Sequence, residues 1–179
     1  MADGPSRGDR VTQVLVALLF VGAVLMGWQE VSEVKLLPEG SAAPAFSLPT
    51  LAGPPLVLGH LQGQGVVVDF WATWCGPCRE EQPMLLEVGR AYAARGVRLV
   101  MVSNDDLAEQ REAVAAAVRR DPGLGPVVAL GTPEVGAAYL VRMLPTLYVL
   151  DRQGRVVGAR AGVVARWQLE RWLDLALER

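Results

Sequence analysis

Val66-Val67-Val68-Asp69-Phe70-Trp71-Ala72-Thr73-Trp74-Cys75-Gly76-Pro77-Cys78 is the stretch that decides how this chain folds. Apart from Asp69, its first six residues are β-branched or aromatic, and the run has the length of a buried strand. From Cys78 to about Ala94 the pattern changes to helical spacing, with Met84, Leu85, Val88 and Tyr92 on one side. Pro83 is expected to kink that helix and Gly96 to stop it. A strand therefore runs through Trp74 and Cys75 straight into a helix. The chain has 2 cysteines, and both lie at that junction.

The junction suggests a chemistry. A thiolate is the reactive form of cysteine, and the free amides and dipole at a helix N-terminus stabilise its charge. An ordinary thiol with a pKa of about 8.5 is about 3% thiolate at neutral pH, whereas one lowered to about 7 is about half thiolate. Cys75, at the mouth of the helix, is the expected attacking thiol. Cys78, one turn further in and on the same face, is the expected resolving thiol. Pro77 lacks a donor where the helix has donors to spare. A purely structural disulfide over so short a loop would stabilise little. A zinc site needs about four ligands, and His60 is the one histidine, so no metal and no cofactor are expected.

Working outward, Ala45 to Leu48 and Pro55 to Leu58 read as a loose β-hairpin around Thr50-Leu51-Ala52-Gly53-Pro54. Val97 to Val102 reads as a second buried strand. Asp106 to Arg120 reads as an amphipathic helix rich in Ala and charge, capped by Asp105 or Asp106. A short strand at 127–130 and a short helix at 133–139 follow. A hairpin comes next, with strands 146–150 and 155–159 about the turn Asp151-Arg152-Gln153-Gly154. Residues 165–178 form a closing helix whose apolar face is marked by Trp167, Leu169, Trp172, Leu173, Ala176 and Leu177. Alternating strands and helices imply an α/β fold: a mostly parallel sheet covered on both faces, with the last two strands adding an antiparallel edge.

The N-terminal segment reads differently. Residues 11–29 carry no charge, and at about 1.5 Å per residue they just reach across a hydrocarbon layer of about 30 Å. Arg7 and Arg10 precede this segment and Trp28 lies at its far edge. It is expected to be one transmembrane helix, an anchor or uncleaved signal. Residues 1–10 would then be cytoplasmic, 30–44 a linker, and 45–179 a single catalytic domain on the periplasmic, extracytoplasmic side. A cleaved signal peptide is the competing reading, but no small-x-small site closes the apolar run. With 17 basic and 19 acidic residues interspersed and no basic cluster, the composition points to no nucleic-acid partner.

From Val68 to Cys78 the chain resembles a thioredoxin nearly residue for residue, and Pro83, Leu144-Pro145-Thr146, Gly154 and Gly162 extend the likeness. The apolar N-terminus, the hairpin at 45–58 and the helix near 106–120 are similar instead to the membrane-anchored TlpA/ResA branch of that superfamily. The resemblance spans about residues 40–179. It implies a thioredoxin-like fold with a central mixed sheet and helices on both faces, an N-terminal β-hairpin and the inserted helix. It implies that Trp74, Gly76 and Pro77 shape the surface that meets a client, and that Pro145 is cis, exposing the Leu144 backbone to pair with an extended segment.

Two acids stand near the pair. Asp69 interrupts an apolar run, where a buried carboxylate is costly unless used. It matches the buried Asp of thioredoxins. Glu81 follows Cys78 by one turn and matches the Glu of the ResA-like branch, whereas Glu80 is expected to be solvated. At least one of Asp69 and Glu81 is expected to take the Cys78 proton.

The function expected is extracytoplasmic protein-disulfide reduction. The resemblance implies disulfide-containing clients, apocytochrome c among them, and an integral-membrane thiol electron donor. The alternative is a Cu(I) metallochaperone or assembly factor using both cysteines as soft ligands. Against it, residues 127–150 hold no histidine. A peroxide-reducing relative is disfavoured, because Cys75 lacks the flanking Pro and Thr arrangement of those enzymes.

Overall fold

The computed structural model describes residue 13, residues 16–22 and residues 34–179. The chain divides into two units at Val34/Lys35. In the first, residues 16–22 are helical. Most of the expected transmembrane segment, together with the expected cytoplasmic stretch 1–10 and the first residues of the linker, lies outside the described residues. Among the described residues no helix is long and apolar enough to cross a membrane.

The second unit is built on a five-stranded sheet. Its strands are β3 (Gly65–Trp71), β4 (Val97–Ser103), β5 (Val128–Leu130), β6 (Thr146–Leu150) and β7 (Val156–Ala161). Their spatial order is β5-β4-β3-β6-β7. Strand β3 is parallel to β4 and β4 to β5, whereas β6 runs antiparallel to both β3 and β7. The parallel part and the antiparallel pair of the expected sheet are both present, and they meet on β3 at its centre. A separate hairpin of two-residue strands, β1 (Ser47–Leu48) and β2 (Leu56–Val57), is shorter than the sequence pattern suggested.

Helices α1 (Gly76–Ala93), α2 (Gln110–Arg120), α3 (Pro133–Ala138) and α4 (Arg166–Glu178) complete the unit. Alternation along β3 divides the core. Val67 and Trp71 pack with Leu85 and Val88 of α1, Val114 of α2 and Leu169 and Leu173 of α4. Val66, Val68 and Phe70 face the other way, with Phe46, Leu48, Tyr139 and Tyr148. Three helices therefore cover one face, while the hairpin and the short α3 cover the other. There the Tyr148 hydroxyl donates to the Tyr139 carbonyl at 2.6 Å and the Tyr139 hydroxyl to the Pro44 carbonyl at 2.9 Å. Burying two phenols is tolerable because both hydroxyls find acceptors.

Two local expectations are corrected. Helix α2 starts at Gln110, and neither Asp105 nor Asp106 caps it. The Asp105 carboxylate is drawn away by Thr73 and Ser103, and Asp106 instead accepts from the Ala108 N–H in a preceding turn at 2.9 Å. Trp167, expected on the apolar face of α4, stands 66% exposed in its first turn, and Leu169, Leu173 and Ala176 carry that face. Pro83 lies inside α1 without ending it, and Gly96 follows the helix at φ 87°, a left-handed stop that glycine adopts freely.

Candidate active site

Cys75 is the N-cap of α1, with extended backbone, and Cys78 lies in the first turn. They are joined as a disulfide with Cα atoms 5.3 Å apart. The Cys78 N–H donates to Cys75 Sγ at 3.2 Å, so the Cys75 sulfur takes the place usually held by a capping oxygen. Gly76 and Pro77 fill the first two helical positions, and proline there costs no hydrogen bond. Both sulfurs are almost fully buried, whereas Trp74 is 67% exposed beside them. His60, in the 3-10 turn Leu58–Leu61, is exposed.

Beneath the pair lie the two acids. Asp69 sits on β3 between Val67 and Trp71, so it points to the face that α1 covers. It is 1% exposed, and Oδ1 has no hydrogen-bond partner among the described residues. Burial holds its carboxyl well above the usual carboxylate range, and the neighbouring charge of Glu81 raises it further. Glu81 is buried on α1, three residues beyond Cys78, rather than on a solvated face. Its Oε1 accepts from the Val164 N–H at 2.6 Å, and Oε2 has no partner among the described residues. Burial raises its carboxyl, and the Val164 bond pulls it part of the way back. The Glu81 charge thus opposes the ionisation of Asp69. Glu80 is exposed, as expected.

The Leu144–Pro145 peptide is cis. The Pro145 carbonyl accepts from the Gly162 N–H at 2.8 Å, so the segment that anchors Glu81 also holds the proline loop. Strand β6 begins only at Thr146, which leaves Leu144 outside the sheet ladder. From residue 35 onward the exposed large apolar side chains are Trp74, Leu107, Met143, Val163 and Trp167. Trp74, Leu107 and Val163 follow the C-terminal ends of β3, β4 and β7, Met143 precedes β6, and Trp167 opens α4. Because β6 is antiparallel, all five gather at the sheet end that carries the cysteines.

The AhpC/TSA family model matches residues 40–159. The chain belongs to the AhpC/TSA family. Thiol-disulfide oxidoreductase ResA of Bacillus cereus (strain ZK / E33L) is 32% identical over 165 residues, covering 90% of this chain and 93% of its own. Thioredoxin-like protein YneN of Bacillus subtilis (strain 168) is 34% identical over 139 residues, with 78% and 81% covered. The crystal structure of a thiol:disulfide interchange protein of the thioredoxin family from Chlorobium tepidum TLS superposes with a TM-score of 0.67 at 29% identity, covering 79% of this chain and 99% of that one. With its own vicinal cysteines bonded at a helix N-terminus, this AhpC/TSA-family chain is a thiol–disulfide oxidoreductase of thioredoxin-like fold.

In this family member the structure brings Cys75, Cys78, Trp74, Gly76 and Pro77 together in the junction and first turn of α1. Asp69 and Glu81 lie in the core behind them, and Leu144 and Pro145 at the same sheet end. Sequence reasoning missed a second layer. The Thr73 N–H and hydroxyl both donate to the buried Asp105, at 3.0 and 2.5 Å, and the Ser103 hydroxyl donates to its other oxygen at 2.8 Å. This ties the loop before Cys75 to the end of β4. Gln110 reinforces it, donating through Nε2 to the Ser103 and Gly131 carbonyls at 3.0 and 3.1 Å. The available signal was Thr73 inside the quoted motif and an acid just after a buried strand, but nothing local pairs residues so far apart.

Proposed function

We propose that the protein reduces disulfides in partner proteins. The observation that carries the direction is the pair of buried carboxylates, Asp69 and Glu81, both held above the usual range. When ionised, these carboxylates place negative charge behind the cysteines, which disfavours a thiolate there. A reduced form that is less stabilised gives up its electrons more readily, the reverse of a strong oxidant such as DsbA. The acids also offer a destination for the Cys78 proton.

The Cys75 thiolate attacks a client disulfide, forming a mixed disulfide and releasing the first client sulfur as a thiolate. Cys78 passes its proton to an acid and attacks Cys75 Sγ, forming the internal disulfide and releasing the second client sulfur. Two electrons have moved to the client, and a membrane-embedded dithiol donor would restore the pair. In this reading residues 11–29 anchor the chain in a membrane with the catalytic unit on the extracytoplasmic side, and apocytochrome c is a candidate client. The uncharged stretch and its flanking arginines support the anchor.

Equilibration with dithiothreitol buffers tests the direction. A midpoint on thioredoxin's side, about −270 mV, is expected, and one near DsbA's, about −120 mV, would overturn it. Trapping with Cys78→Ser, which halts the cycle at the mixed disulfide, then identifies the clients.

A further inference from the structure

Beside Trp74 lies a groove of about 560 Å³, lined by Trp74, Asn104, Asp105, Asp106, Leu107 and Gln110 and closed by residues 131–133. It sits past the C-terminal ends of β4 and β5. Strand β3 separates it from the Leu144–Pro145 loop, which precedes β6 on the other flank. An extended client segment that meets Leu144 and presents its cysteine to Cys75 therefore continues over Trp74 into the groove. We infer that this groove is a subsite for a cationic side chain, Lys or Arg, on the side of the client cysteine away from Leu144. The inference rests on the proposed docking of a client disulfide at Cys75 and names what that client must carry.

The charge of the lining favours a cation. No Lys, Arg or His lines the groove, and two carboxylates do. Asp105 contributes charge, since Thr73 and Ser103 already occupy its oxygens. Asp106 contributes an exposed carboxylate. Gln110 is only 5% exposed, and its Nε2 is spent on two carbonyls. Gln110 therefore offers the groove no free donor, and no group of the described chain donates to its Oε1. Trp74 adds an open indole face. Ammonium and guanidinium groups carry donors and no acceptor, and they are attracted to aromatic faces. An anionic side chain would meet two carboxylates, and an apolar one would take water from the exposed Asp106 carboxylate without replacing it.

The groove is built rather than incidental. Gly131 lies so close to β4 that a Cβ there would collide with the Ser103 carbonyl and with Val102 Cγ1. That approach is what brings the two carbonyls together for the Gln110 amide.

Mixed-disulfide formation tests the subsite whatever the net direction of electron flow. The full chain carrying Cys78→Ser is mixed with cysteine peptides activated as thionitrobenzoate disulfides. Cys75 forms a bond to the peptide sulfur, the old disulfide breaks, and the released thionitrobenzoate anion is followed by absorbance. The peptides differ only in having Lys, Met or Glu two residues before or after the cysteine. One of the two placements should favour Lys over Glu by about tenfold, the factor expected of one cation–π contact with one carboxylate partner. Asp106→Asn, which keeps the oxygen that accepts from Ala108, should reduce that preference to about twofold, and Asp106→Lys should reverse it. Both variants should release thiopyridone from the uncharged dipyridyl disulfide at the parent's rate. Equal rates for all three peptides at both placements, or a Lys preference that survives Asp106→Lys, would overturn the subsite. A midpoint near that of DsbA would instead overturn the reductase reading and leave the peptide preference standing.

Discussion

Removing the two buried carboxylates one at a time and together is the sharpest probe of the chemistry. Asp69→Asn replaces a buried carboxyl that has one unpartnered oxygen with an amide of the same shape. Glu81→Gln keeps an oxygen for the Val164 N–H, which lies 2.6 Å from Oε1. That bond falls from a charge-assisted contribution of about 1.5–3 kcal/mol to a neutral one of about 0.5–1.5, a loss of about 1 kcal/mol. Relief of the buried charge offsets part of this loss, so both variants should fold. A positioned proton acceptor contributes about 10²–10⁴ in rate. Either acid alone can serve, but the Glu81 charge raises the basicity of Asp69, so losing Glu81 also weakens the acid that remains. Each single variant should slow the resolving step about tenfold, and the double variant about a hundredfold or more. Stopped-flow tryptophan fluorescence, with reduced protein mixed with a peptide disulfide from pH 5 to pH 9, reads that step. The deficit of the double variant should shrink at high pH, where Cys78 ionises without help. Should all three variants resolve at the parent's rate throughout, neither acid takes the proton.

The same burial makes a stability prediction. The Asp69 carboxyl is raised in the folded state, so its stabilising contribution is complete below the ordinary aspartate value and is lost as pH rises through the raised one. Urea unfolding at pH 4 and pH 8 should therefore show Asp69→Asn gaining on the parent at pH 8, by about 1.4 kcal/mol for each tenfold separation of the folded and unfolded acid constants. Gly131→Ala should cost about 1–3 kcal/mol, since its Cβ meets backbone at Ser103 that cannot step aside, and thermal melts check this. Asp105→Ala leaves the Thr73 N–H, the Thr73 hydroxyl and the Ser103 hydroxyl without their acceptor. It should cost about 1–3 kcal/mol and speed amide exchange at Thr73, whereas unchanged exchange would show that the loop before Cys75 is held by other means.

The sequence by itself was enough for the elements that short-range physics encodes. The β-branched run at 66–71, the helix opening at the cysteine pair, the left-handed stop at Gly96 and the turn at 151–154 each follow from neighbours a few residues apart. The reactive pair was legible for the same reason: its spacing and its place at a strand–helix junction are local. Asp69 could be singled out because a lone acid in an apolar strand conflicts with its surroundings, and burial confirms the conflict.

What tertiary structure decided is what long-range pairing brings together. Glu81 became a buried acid because the segment before α4 folds over it and donates the Val164 N–H. Asp105 left the helix cap that its position suggested because Thr73, 32 residues away, competes for its oxygens. Trp167 fits the apolar periodicity of α4 yet faces solvent, because the first turn of that helix projects at the sheet end where the core stops. The groove beside Trp74 exists only where the ends of β3, β4 and β5 meet. Periodicity reports which face of an element is apolar, and only the packing of elements determines how much of that face finds a partner.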